Sequence, residues 1–88
     1  MLIRLYSIFD RVAQVFTEPF SAVNDAAAVR AFSNAQLQPG TMMFSNPADF
    51  QLFFICEFDN HDGSISSNLG YVEKIADGKP REVTENEQ

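Results

Sequence analysis

The side chains able to carry chemistry in this 88-residue chain are few, and their spacing decides what they can do. The one histidine, His61, stands in Asp59-Asn60-His61-Asp62-Gly63, where acids ahead of a glycine superficially resemble a calcium loop. The alternating ligand spacing and the closing acid that calcium needs are both missing, so the segment reads as a hairpin turn with Gly63 free to take positive φ. His61 has neither a cysteine partner nor a second histidine to complete a zinc site or a catalytic dyad. Cys56 is the single cysteine, which rules out an internal disulfide, and on an apolar strand face it reads as a small hydrophobe rather than a nucleophile. Asp10, Asp25, Asp49, Glu57, Asp59 and Asp62 occupy turns and caps, where Asp is favoured for local hydrogen bonding, and none pairs with another as acid and base. The four glycines occur singly, so no phosphate-cradling loop exists. The expectation is a protein that is not an enzyme, with no metal and no cofactor.

One pattern does point to a ligand. Arg4 and Tyr6 share a face of the first strand, Arg11 lies in the turn that follows and Arg30 lies on the helix. An aromatic ring beside a cation can stack a base and hold its phosphate. The competing reading makes Tyr6 a core residue and Arg4 an edge charge, as most strand aromatics are structural. A second candidate surface is Phe53 with Ile55, on the nominally outer face of a strand whose inner face is Phe50, Leu52, Phe54, Cys56 and Phe58. Its middle is too apolar for a face that meets only water, so a helix, a loop or a second subunit is expected to cover it.

The elements that position these residues follow from local pattern. Residues 2–9 are rich in β-branched and aromatic types, and Asp10-Arg11-Val12-Ala13 turns them back into Gln14-Val15-Phe16 as a β-hairpin. Asn24 or Asp25 caps a helix whose alanine-rich run reaches about Leu37, with Ala28, Val29, Phe32 and Ala35 on one stripe. Gln38-Pro39-Gly40 stops it, Met42, Met43 and Phe44 fold back on the core, and Asn46-Pro47 opens a short helical turn. Residues 50–58 form the third strand, and the turn through Gly63 leads to a short return strand at 64–66. A last ordered piece spans 71–76. The predicted fold is α+β, a small antiparallel sheet from two β-hairpins packed against one main α-helix. A single domain spans 1–76, and 77–88 is expected to be a polar, disordered tail.

Composition bounds the partners. A net charge of −6 and a pI near 4.4 argue against broad attraction to phosphate or anionic lipid, leaving only a local basic patch. Nine Phe and two Tyr are a heavy aromatic load for so short a chain, and they lead to the expectation of a homodimer. No apolar run approaches the roughly 20 residues needed to cross a bilayer, and no cleavable leader is evident, so no membrane association is expected.

A resemblance adds to this reading. Leu5-Tyr6-Ser7-Ile8-Phe9-Asp10, then Pro19-Phe20, then Asn24-Asp25-Ala26-Ala27-Ala28-Val29-Arg30-Ala31-Phe32, then Pro47-Ala48-Asp49-Phe50 look like the small non-structural protein of gokushovirus-type microviruses in order and spacing. The acidic hairpin from Phe58 to Ile65 resembles that family's turn as well, and the chain departs from the pattern after Gly70. The resemblance implies a bacteriophage protein acting in the host bacterial cytoplasm. It would be a DNA-associated accessory in genome replication that binds single-stranded DNA or promotes the switch to single-strand synthesis. The alternative is a non-catalytic module that docks on phage or host replication or packaging proteins without touching DNA.

Overall fold

Period-two alternation of apolar residues makes two long strands, β1 at Leu2–Asp10 and β4 at Phe50–Asp59, and they pair antiparallel from Leu2 opposite Asp59 to Asp10 opposite Phe50. The computed structural model describes residues 1–67 and 71–80. On the outer side of β1 lie β2 (Val15–Phe16) and β3 (Phe20–Ala22), and on the outer side of β4 lie β5 (Ile65–Ser66) and β6 (Glu73–Asp77). The result is one six-stranded antiparallel sheet with β1 and β4 at its centre. The two expected hairpins are present, and β3 and β6 extend the sheet beyond them.

The first turn is fixed by its own side chain. Asp10 Oδ1 accepts from the backbone N–H groups of Val12 (3.0 Å) and Ala13 (3.1 Å), and Gln14 takes φ 61° to bring the chain back. Phe9 therefore faces Phe16 across the hairpin. Pro19 cannot donate to a ladder, and it falls in the interruption between β2 and β3.

α1 spans Asp25–Ala35, and Asn24 Oδ1 caps it by accepting from Ala27 N at 2.8 Å. It ends before Leu37, which is exposed. Residues 42–45, expected as a connecting segment, form a one-turn helix α2 (Met42–Ser45) capped by Thr41, and Pro47–Asp49 is a 3-10 turn. Ala28 and Phe32 of α1 join Tyr6, Ile8, Phe50, Leu52 and Phe54 in one core cluster, with Val29, Met43 and Ile75 at its margin. Each fully buried Phe or Leu of this kind contributes about 1.5–3 kcal/mol over an exposed one.

One feature was not expected, and one boundary moves. Leu5 pairs with Cys56 while Tyr6 pairs with Phe54, so Ile55 is an extra residue at a bulge, yet burial still alternates along β4, with Phe50, Leu52, Phe54 and Cys56 buried and Gln51, Phe53, Ile55 and Glu57 half-buried. Cys56 is buried but lies outside the core cluster, and Phe58, opposite Ile3, is half-buried. Ile55 is half-buried like Phe53, between the buried Phe54 and Cys56, as the expected alternation has it. The expected domain boundary at 76 falls inside β6. The next residues are also held: Gly78 is buried and its N–H donates to Phe50 O at 2.8 Å. A Cβ on Gly78 would stand 1.9 Å from Pro47 O, so only glycine fits this crossing. The last part of the expected tail, 81–88, lies outside the described residues.

Candidate functional site

Arg4 and Tyr6 do meet, in a cluster that faces inward. The Tyr6 hydroxyl donates to Asp25 Oδ1 at 2.5 Å, and Arg4 donates from Nε to the Tyr6 oxygen at 2.8 Å and from Nη2 to Asp25 Oδ1 at 2.9 Å. The guanidinium also lies 4.1 Å from the Phe54 ring centre. The hydrogen bond from Tyr6, and then that from Arg4, hold the Asp25 carboxyl below the usual range. Burial first, and then the Asp25 hydrogen bond, push the Tyr6 phenol up. Asp25 is the first residue of α1, so the cluster ties β1 to the start of the helix.

Tyr6 is 0% exposed and packs against Phe20 and Phe54, which leaves no ring face to offer a base. Arg11 sits in the turn beyond the far end of β1, roughly 20 Å along the strand direction from Arg4. Arg30 is exposed on α1. Within one chain the structure therefore does not gather Arg4, Arg11 and Arg30.

The opposite face of the sheet has a different character. Phe9, Phe16 and Phe53 form a mutual cluster with ring centres 4.7 Å (Phe9 to Phe16), 5.4 Å (Phe16 to Phe53) and 6.1 Å (Phe9 to Phe53) apart. Phe16 is 41% exposed, and Phe9 and Phe53 are partly exposed. The expected surface residue Phe53 is thus in the group, while Phe9 and Phe16 were missed. A four-residue turn after Asp10 places Phe9 opposite Phe16, and that register was the signal that could have found them.

Polar side chains line one side of the rings. Lys74 is the cross-strand partner of Phe53, and Asp77 is that of Gln51, which itself pairs with Phe9. Gln51 Nε2 donates to Asp77 Oδ1 at 3.0 Å, and Lys74 Nζ lies 3.3 Å from Oδ1 and 3.2 Å from Oδ2. The Gln51 amide, then Lys74, and at longer range Arg11, hold the Asp77 carboxyl below its ordinary value. Phe9, Arg11, Gln51 and Asp49 share a shallow cleft of about 350 Å³ at this end. Two cations, Arg11 and Lys74, therefore stand at the edge of the aromatic group.

Among the described residues no group of three or more His, Cys, Asp and Glu side chains could hold a metal ion, and no helix is long and apolar enough to cross a membrane. Fold and site define a small domain built on one antiparallel sheet, with a helix against one face and an aromatic cluster on the other. The chain belongs to the Phage ORF5 protein family, whose model matches residues 3–79, and is accordingly a phage protein. No curated protein and no solved structure matches it.

Proposed function

We propose that this phage protein is an accessory in genome replication that associates with single-stranded DNA through the open face of its sheet. Phe16, Phe53 and Phe9 serve as the stacking platform, and Arg11 and Lys74 contact phosphate. The observation that carries the reading is the exposed ring cluster with two cations at its edge. Sheet aromatics stack bases without regard to sequence, and the affinity comes from π-faces more than from charge. The likeness to microvirus non-structural proteins supports the replication setting. Of the residues first singled out, Arg11 stays in this reading, and Tyr6 and Arg4 leave it because each is engaged with Asp25.

The charge balance shapes the expected behaviour. In residues 1–80 five basic side chains face nine acidic ones, a net of −4, so few phosphates can be neutralised. With two contacts, the affinity for a single strand falls about 25-fold between about 20 and 200 mM salt, a shallow dependence. A fluorescence-anisotropy titration of labelled single-stranded DNA, beside a duplex control, tests this. Binding that prefers single strands and weakens roughly 5- to 150-fold in Phe16→Ala supports the reading. Absence of binding at the lower salt overturns it.

The acidity and the neighbouring exposed Val12 and Val15 favour a second reading, in which the same face is covered by protein. The occupant is then a second copy of the chain or a phage or host replication or packaging protein. A dimeric mass by light scattering that becomes monomeric in Phe16→Ala, without DNA binding, selects this reading.

A further inference from the structure

Resting on the single-strand reading above, we propose that the open face prefers guanine: a base stacked on Phe53 turns its Watson–Crick edge toward Asp77 and Lys74. The Phe53 ring stands nearly perpendicular to those of Phe9 and Phe16, at 84° and 77°, so a single base lies on the Phe53 ring rather than across all three. Lys74 is directly across from Phe53, and Asp77 is its diagonal neighbour through Gln51, within the reach of a base lying over the Phe53 ring.

The pattern of donors and acceptors then selects among bases. A carboxylate only accepts, and it is best met by two adjacent donors. On the Watson–Crick edge only guanine offers two adjacent donors, N1–H and the N2 amino group, with the O6 acceptor next to them for the Lys74 ammonium. Adenine and cytosine follow their amino donor with a ring-nitrogen acceptor, and thymine flanks its N3–H with two carbonyls, so each sets a lone pair against the carboxylate. The Asp77 and Lys74 side chains are 53% and 48% exposed, and the Gln51 amide fixes Asp77 while leaving acceptor capacity free. Guanine replaces the direct Lys74 to Asp77 contact with two hydrogen bonds donated to the carboxylate and one accepted from the ammonium.

The test is anisotropy at about 20 mM salt with thymidine oligonucleotides carrying isolated guanines, inosines or adenines at the same positions. Inosine lacks only the N2 amino group, so it probes the carboxylate contact without altering the protein. Guanine strands are expected to bind about fivefold tighter than inosine or adenine strands, and Asp77→Asn to remove that difference while all-thymidine binding persists. Equal affinity for all strands, or a guanine preference unchanged in Asp77→Asn, overturns the inference and leaves single-strand binding standing. Failure of every strand to bind overturns both.

Discussion

The two faces of the sheet are drawn from alternate residues of the same two strands, yet their rings have opposite fates. On one face Tyr6, Leu52 and Phe54 pack with Phe32 of α1, and the buried Tyr6 hydroxyl is satisfied by Asp25 and Arg4. On the other, Phe9, Phe16 and Phe53 pack on one another, and the largest exposure among them belongs to a residue of a two-residue edge strand. Burial against a helix turns aromatic surface into stability. Burial against neighbouring rings alone leaves part of that surface for something outside the chain.

Substitutions that separate the two faces sharpen this contrast. Phe32→Ala removes the helix's main anchor and should cost about 3–5 kcal/mol, a large share of the stability of so small a domain. Chemical denaturation checks it, and a loss below about 1 kcal/mol would mean that the covered face is not the core. Gly78→Ala, on the covered side's clasp, drives a methyl into Pro47 O and should cost about 2 kcal/mol or more by the same measurement. Phe16→Ala, on the open face, should cost less than about 1 kcal/mol while still weakening single-strand binding. If it unfolds the protein instead, the distinction between the faces fails.

The smallest effects concern pH. Asp25 is held below its ordinary pKa of 3.8, so its contribution is present above that value and is lost as the pH falls through its folded pKa. Tyr6 is raised above 10.0, so its contribution is present below that value and is lost as the pH rises through the folded pKa. Thermal melts across pH should show Tyr6→Phe flattening the alkaline loss at a cost of about 1 kcal/mol near neutrality. Asp25→Asn should only soften the acid loss, because Asp59, Asp62 and Asp77 are held low as well.

How far the sequence could be read follows the distance over which each feature is decided. The first hairpin and the start of α1 were legible because Asp10 and Asn24 bond to backbone within three residues of themselves. β3 was not, and the ordered piece expected at 71–76 was not recognised as a sheet strand, since strands of three and five residues carry little periodicity and owe their place to pairing with distant β1 and β4. The bulge at Ile55 was invisible for the same reason, since it shows only in the pairing of β4 with β1. At the candidate site, Arg4 beside Tyr6 read correctly as neighbours on one face. Their engagement with Asp25 depended on a helix start 19 residues further on from Tyr6. Gln51, Lys74 and Asp77 came together only through the pairing of β4 with β6.

The broken outer columns of the sheet have a consequence for solubility. Each side of the central pair is closed by two short strands rather than one long one, and the longest of the four, β6, has five residues and pairs with a register shift. An edge that is short, bulged or interrupted by proline gives an incoming strand too few aligned donors and acceptors to add in register. Among the described residues this arrangement disfavours edge-to-edge addition in a chain rich in phenylalanine, even while one face of its sheet stays uncovered.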